Sequence, residues 1–450
     1  MTENSPLARL AGSAVLITLV TLVARSASFG REIMTASAFG IGHTLDAFLV
    51  AFLVPSFFIF AIAGCAGPAL IPVVMAARHN GGRAAVHSAI ARINGSSLVV
   101  FGGISALIII LAQFYLPLLD AHMDPGQSEI VWRWVVLLSL LIPVYGYAAL
   151  WTAIANSHGF AAIPAAVPAI TPLLTMIMLF ALAGRGDAWA LVIGVMLGGM
   201  LELTAIGLLL HRRGLLSWPI ISFGQFGNFE RAFATLFASA ATLGLIPLAD
   251  QAMAALAGPG GIARIAFGAR LGSLLGSIAA LGLGYAALPV FSRLVAEENW
   301  ADLKSLITRS VLLTLALAIP LCLMLAWYSP AIVELMFQRG NFHASETVPV
   351  AEIQAVYVLQ IPFFMGWILL SSVMAAMQRK FSLLAMSAIA AVLNAALNWL
   401  LLPGFGVLGI AWATTITIFV LFIMVSGVTY RNLNRKADQM YFPKQQGRGK

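Results

Sequence analysis

The chain has 450 residues, of which 61% are apolar and only 9% charged, with a formal net charge of +8. Soluble domains carry about one charged residue in four, so this composition excludes a soluble fold and indicates a polytopic membrane protein. The basic residues lie in short loops between apolar runs, which the positive-inside rule explains without a nucleic-acid partner. Cys65 and Cys322 lie inside apolar runs and predict neither a disulfide framework nor paired metal ligands.

Apolar runs of about 20 residues, the length that crosses a bilayer, predict an all-α protein with about twelve transmembrane helices. Their approximate ranges are 8–30, 46–77, 93–118, 131–155, 161–183, 187–210, 229–256, 263–292, 309–333, 350–376, 381–402 and 406–430. The first run lacks a small-residue cleavage site and leads into further spans, so we interpret it as a retained helix. Pro55 and Pro72 in the second span and Pro289 in the eighth predict kinks.

Basic side chains collect in alternate connections. Of the 25 lysines and arginines, 18 fall on one side of the predicted topology. Two of the intervening connections are acidic, "LLDAHMDPGQSE" and "GNFHASETVPVAE". The positive-inside rule therefore predicts that both termini are cytoplasmic. Arg25, Arg31 and Glu32 then fall in the outer half of the first span, where positive charge is least expected.

The two halves of the sequence resemble each other at a constant offset of 217 residues. Residues 67–93 align with 284–310 without a gap and share 8 of 27 residues, including Pro72 with Pro289 and Arg92 with Arg309. An even number of helices per repeat predicts two six-helix lobes in parallel orientation, a design in which transporters bind substrate between the lobes. The predicted domains are residues 1–215 and 216–430, followed by a basic cytoplasmic tail at 431–450.

Three arginines within the predicted spans are candidate substrate ligands: Arg25, Arg31 and Arg270. A charge inside the bilayer is costly and usually faces a cavity or a partner. Guanidinium groups stay protonated and bind phosphate through paired donors, so a cluster of them favours a pyrophosphate or a polyanionic head group. Two other interpretations stay open. The first-span arginines can extend to lipid phosphates. Alternatively, Arg31 can form a structural ion pair with Glu32 or Asp46, and Arg270 can form one with Asp250 or Glu202.

Four acids also lie in or beside the spans: Glu32, Asp46, Glu202 and Asp250. For Asp46 we favour a cap on the second helix over a substrate role. For Glu202, a proton or cation site and a buried hydrogen-bonded acid are equally plausible. The sequence contains no nucleophile elbow, phosphate-binding glycine loop or HExxH motif, so we predict neither an enzyme nor a cofactor.

The segment "ARSASFGREIMTASAFGIGHTLDAFLVAFLVPSFF", residues 24–58, resembles the start of the MurJ (MviN) lipid II flippases. The motifs "ALIPV", "ALPVFSRL" and "ELMFQRGNFHASET" extend this resemblance, and "GFGVLGIAWAT" is typical of the wider multidrug/oligosaccharidyl-lipid/polysaccharide exporter superfamily. The resemblance implies a two-lobe transporter in the bacterial inner membrane with a cationic central cavity for a lipid-linked pyrophosphoryl saccharide. By position it implies substrate contacts for Arg25, Arg31, Glu32, Asp46, Asp250 and Arg270.

Three features depart from the family pattern. Ile59 or Phe60 stands where members carry an arginine in the second helix, and Ala269 stands where an acid precedes the arginine of the eighth. Members also have two further carboxy-terminal helices, whereas twelve are predicted here and a basic tail, expected on anionic lipid, takes their place.

We predict a flippase for an undecaprenyl-pyrophosphate-linked saccharide, either a peptidoglycan precursor or an exopolysaccharide unit, working by alternating access. Coupling to Na⁺ or H⁺ and to membrane potential is an open expectation. The main alternative is a cation-coupled multidrug or metabolite exporter of the same superfamily, which predicts a carboxylate-centred site with few arginines. A third hypothesis, a membrane scaffold or transferase, has only "HMDPGQSE" in its favour.

Overall fold

The computed structural model describes residues 6–119, 125–160, 162–182, 188–221 and 227–441, and every regular element in these ranges is helical. Side chains of the first helix are described from Leu19 onward. The α-helices are α1 Pro6–Phe39, α2 His43–Leu119, α3 Pro125–Ser139, α4 Leu141–Ser157, α5 Ala162–Ala166, α6 Ile170–Ala181, α7 Trp189–Arg212, α8 Gly227–Leu256, α9 Gly261–Ala279, α10 Tyr285–Ala296, α11 Trp300–Trp327, α12 Ser329–Phe337, α13 Ala344–Leu359, α14 Ile361–Ala376, α15 Lys380–Phe405 and α16 Val407–Tyr441. A 3₁₀ turn, Val167–Ala169, joins α5 to α6, and a π-helical turn, Ala280–Gly284, joins α9 to α10.

Ten stretches of the described residues are long and apolar enough to cross a membrane. They correspond in order to the second to twelfth predicted spans, because the 77-residue helix α2 contains two of them. The first predicted span lies on α1. The predicted all-α polytopic membrane fold is confirmed. The acidic connection after the third span lies partly outside the described residues, as does the end of the basic tail, at 442–450.

Helix α2 runs through the connection predicted between the second and third spans. Its backbone leaves helical geometry at Gly82, which has φ 63° and ψ −149°. Residues with a Cβ rarely adopt a positive φ, so glycine is the residue that permits this break. The alanine-rich sequence that follows favours helix and resumes it at once. The long apolar helix is therefore two arms, 43–81 and 83–119, that meet at Gly82.

The eighth span changes helix type along its length. The π-helical turn Ala280–Gly284 ends five residues before Pro289, which lies inside α10. Proline lacks the N–H of the normal helical bond and crowds the carbonyl four residues earlier, and π-helical turns are one way a helix accommodates an irregularity. The kink predicted at Pro289 thus lies beside an observed change in winding.

The chain forms two compact units. The first comprises residues 1–248 with two short segments, Gly258–Ala263 and Phe337–His343, and the second comprises Ala249–Ala257, Arg264–Met336 and Ala344–Lys450. The division at residues 215 and 216 into six-helix lobes stays a prediction.

Close helix approaches organise the core of each unit. In the first unit, a Cβ built on Gly198 of α7 would lie 2.5 Å from the Cα of Thr171 on α6. In the second unit, a Cβ on Gly268 of α9 would lie 2.4 Å from the Cγ2 of Ile353 on α13. Small residues of this kind let membrane helices pack backbone to backbone.

Candidate functional site

Helix α1 carries the first group of predicted ligands, within the first unit. Arg31 donates through Nη2 to Oε1 of Glu32, its neighbour in the chain. Glu32 is buried, whereas the Arg31 side chain keeps 27% of its exposure. The sequence left open a pair of Arg31 with Glu32 or with Asp46, and the structure shows the pair with Glu32.

Arg25 lies 14 residues before the end of α1, about 21 Å along the helix axis. Its side chain is exposed, and no acid of the described residues pairs with it. The first predicted span, residues 8–30, contains this position, so we predict that Arg25 lies at a depth where water is scarce unless the protein provides it. Arg25 therefore has a charge that no described protein group neutralises.

Glu202 lies at the centre of a second polar group in the first unit. Its Oε1 accepts a 3.1 Å bond from the backbone N–H of Thr171, at the start of α6. The first N–H groups of a helix lack intrahelical partners, so this carboxylate satisfies one of them. The hydroxyl of Thr171 also bonds to Tyr145 at 3.0 Å, and Tyr145 interacts electrostatically with both Glu202 and Arg31.

Asp46 is buried in the first turn of α2, where its carboxylate binds the start of a different helix. It accepts bonds from the backbone N–H groups of Gly260 and of Ala263, the latter at 3.0 Å. Both donors lie at the amino end of α9. We expected Asp46 to cap its own helix; the observed cap is on α9, because the loop before that helix brings its free N–H groups against the carboxylate.

Asp250 lies in a buried polar cluster of the second unit. Its Oδ1 accepts bonds from the amide groups of Asn394, at 3.1 Å, and Asn398, at 2.8 Å, and its Oδ2 accepts from the hydroxyl of Thr414. All four side chains are buried. No lysine or arginine of the described residues pairs with Asp250, so the cluster has one negative charge and only neutral donors. We call these four residues the Asp250 cluster.

The three partners of Asp250 were not predicted from the sequence. A signal was present, since Asn394 and Asn398 are four residues apart in a largely apolar span and so share one helix face. The hydroxyl of Thr414 gave no such signal. Neutral polar residues escape a search restricted to charged ones, although inside a membrane they too need partners.

Arg270 lies half-buried on α9, about one and two-thirds helix turns beyond Arg264. Arg264 donates from Nε to Oε2 of Glu346 at 3.2 Å, within the second unit. This pair was not predicted, because Glu346 was assigned to an acidic outer connection. The convergence of Arg25, Arg31 and Arg270 on one anion stays a prediction.

The fold was compared with solved structures. The chain matches a structure titled "Lipid II flippase MurJ, inward closed conformation" with a TM-score of 0.81 at 17% identity, covering 96% of this chain and 94% of that one. It matches an inward-facing multidrug resistance MATE family transporter with a TM-score of 0.71 at 13% identity, covering 94% and 99%. The protein is therefore a multi-span helical membrane protein with the fold shared by these transporters.

Sequence similarity identifies the family within this class of membrane proteins. The family profile described as Lipid II flippase MurJ matches residues 35–445. A probable lipid II flippase MurJ of Rhizobium tropici is 26% identical over 422 residues, covering 88% of this chain and 76% of that protein. The corresponding protein of a Synechocystis strain is 24% identical over 437 residues, covering 90% and 78%. The chain belongs to the MurJ lipid II flippase family, a family of transporters, and the prediction that it is not an enzyme is confirmed.

Proposed function

We propose that this protein moves a lipid-linked pyrophosphoryl saccharide of the lipid II type across the bacterial cytoplasmic membrane. The names of its relatives point to lipid II. Both termini lie in the cytoplasm in this proposal, because the basic connections concentrate on that side.

The observation that carries the proposal is a contrast between acids and arginines in the spans. Asp46, Glu202 and Asp250 are buried and accept hydrogen bonds from protein donors. Arg25 is exposed and no acid of the described residues pairs with it. A carboxylate-centred exporter of cationic drugs would need accessible acids, whereas an accessible guanidinium supports an anionic substrate.

In the proposed mechanism, Arg25, Arg31 and Arg270 bind the pyrophosphate, and Glu32 orients the guanidinium of Arg31. Planar guanidinium groups offer paired donors to phosphate oxygens, and inside a membrane these bonds form without competition from bulk water. The saccharide crosses with the pyrophosphate while the lipid tail stays in the bilayer. Alternating access then exposes the bound head group to the opposite side.

A coupling cation fits the Asp250 cluster better than Glu202. Asp250 contributes an uncompensated negative charge, and Oδ1 of Asn398 is a buried oxygen with no hydrogen-bond partner. Small hard cations prefer carboxylate, amide and hydroxyl oxygens, which this cluster supplies, and an amide that rotates by half a turn presents oxygen in place of nitrogen. A bound cation would offset the cost of burying the carboxylate.

Complementation tests the proposal. We expect Arg25→Ala and Arg270→Ala to abolish growth rescue of a strain depleted of its own flippase, with unchanged membrane levels of the protein. The matched control is Arg133→Ala, which removes an exposed arginine paired with Glu129 on α3 and should complement normally. Full complementation by the Arg270→Ala protein would contradict the proposed anion site.

A further inference from the structure

A cavity of about 360 Å³ lies in the first unit, between the second arm of α2 and the beginning of α8. Its walls include Ser96, Ser97 and Phe101 of α2 and Phe229, Glu230 and Phe233 of α8. We call it the aromatic pocket. None of these residues belongs to the proposed transport site, so the cavity needs its own explanation.

The apolar wall of the pocket is a row of phenylalanine rings. Phe229, Phe233 and Phe237 recur every four residues and therefore share one face of α8. Their ring centroids are 5.8 and 6.3 Å apart in sequence order, and Phe101 of α2 lies 6.1 Å from Phe233. The row is long and narrow, a shape that suits a hydrocarbon chain lying along the helix.

The pocket also has polar groups in its wall, at the end where α8 begins. Glu230 lies in the first turn of α8, half-buried, and no basic group of the described residues pairs with it. Ser96 and Ser97 add two hydroxyl oxygens to the pocket wall. A carboxylate beside aromatic faces binds an ammonium group well, because the ion pair and the cation–π attraction act on the same charge.

This polar end lies at the membrane surface on the side of the basic connections. Ser96 and Phe229 are near the first residues of the third and seventh spans, which both follow basic connections. A ligand with its ammonium at Glu230 therefore has its head group at the depth of the lipid head groups and its acyl chain within the bilayer.

The geometry points to a binding site for an aminophospholipid such as phosphatidylethanolamine in the aromatic pocket. The ammonium binds Glu230, the phosphate stays at the membrane surface, and one acyl chain lies along the phenylalanine row. A purely anionic lipid fits less well because its head group has no cation for Glu230. This lipid differs from the transported substrate and occupies a separate site, so the inference is independent of the proposed function.

Native mass spectrometry of the delipidated full-length protein tests this assignment. On titration with phosphatidylethanolamine or phosphatidylglycerol, the wild type should bind the former more tightly. Glu230→Gln, which keeps size but removes charge, should weaken phosphatidylethanolamine binding roughly tenfold, as expected for loss of a charge-assisted bond, and remove the preference. Phe233→Ala should weaken both lipids. Glu129→Gln removes an exposed acid of α3 and should change neither.

Location is checked with phosphatidylethanolamine that carries a photoreactive acyl chain, in nanodiscs. Cross-links should fall in residues 96–104 and 229–237 of the wild type, and Glu230→Gln should reduce them. Equal binding of both lipids, an unchanged Glu230→Gln protein, or cross-links confined to other helices would overturn the assignment. Tight binding of hexadecylamine without binding of phosphatidylethanolamine would also overturn it, in favour of a site for simple amphipathic amines.

Discussion

The carboxylate of Asp46 accepts a 3.0 Å hydrogen bond from the backbone N–H of Ala263, 217 residues further along the chain. The same offset relates residues 67–93 to residues 284–310 in the sequence repeat, and at that offset Asp46 pairs with Ala263. Gly260 donates to the other oxygen of the carboxylate. A negative charge at a helix amino end is favourable because it satisfies free N–H groups and opposes the helix dipole.

Replacing Asp46 should therefore destabilise the protein. Asp46→Ala leaves the donors of Gly260 and Ala263 without their acceptor, and loss of a capping side chain costs about 1 kcal/mol. We expect a lower midpoint of thermal unfolding in detergent. Glu334→Ala, which removes an exposed acid of α12, serves as the control and should shift the midpoint less. Equal shifts for the two variants would contradict the capping role.

Gly95 allows the segment that follows α7 to pack closely against α2. A Cβ at this position would lie 2.1 Å from the carbonyl oxygen of Ile220, whose N–H donates to the carbonyl of Ala91 at 2.8 Å. Gly95→Ala must therefore push this segment away, with an overpacking cost of about 1–3 kcal/mol. We expect a lower unfolding midpoint and faster proteolysis at residues 215–221.

Gly103 provides the matched control on the same helix. Nothing lies within 4 Å of a Cβ built there. Gly103→Ala should leave proteolysis unchanged and raise the unfolding midpoint slightly, because alanine favours helix by about 1 kcal/mol over glycine. If both variants shifted the unfolding midpoint in the same direction, the close approach of Gly95 to Ile220 would not determine stability at this position.

Glu202→Gln separates the two roles that the sequence left open. Glutamine keeps an acceptor oxygen for the N–H of Thr171 but carries no charge. If Glu202 is a structural acceptor, as its contact supports, this variant should complement a flippase-depleted strain and unfold within a few degrees of the wild type. If the variant folded normally but failed to complement, Glu202 would instead be a binding site for a proton or a cation.

The Asp250 cluster predicts a stabilising effect of Na⁺. A ligand that binds only the folded state raises its stability by mass action, so the unfolding midpoint of the wild type should rise with NaCl relative to choline chloride. Asp250→Asn and Asn394→Ala should abolish this rise. The control variant Glu334→Gln removes an exposed acid of α12. Its unfolding midpoint should still rise with NaCl. A midpoint that responds equally to both salts would exclude sodium binding at this cluster.

The sequence predicted the helices well and their interruptions poorly. Apolar run length identified the spans from the second to the twelfth, because transfer of about 20 apolar residues from water dominates every local preference. The residues between 78 and 92 were expected to be a connection, yet all except Gly82 extend the neighbouring helices. Charge marks where a chain leaves the bilayer, not where a helix stops.

The same limit applies to the candidate site. Charged residues such as Asp250 and Glu202 are visible in an apolar sequence because each is costly to bury. Their partners are the backbone of Thr171 and the neutral side chains of Asn394 and Asn398, which hydropathy does not distinguish from ordinary packing. The link of Arg264 to Glu346 depends on tertiary packing over 82 residues and has no local pattern.

Reconstituted transport tests the central claim most directly. Proteoliposomes that contain the purified protein and a fluorescent undecaprenyl-pyrophosphate saccharide are assayed for head-group exposure to an impermeant reagent. We predict protein-dependent movement of this lipid that is lost in Arg25→Ala and kept in Arg133→Ala. Movement of an undecaprenol-linked saccharide without pyrophosphate at the same rate, or undiminished movement by Arg25→Ala, would contradict an anion site built on arginine.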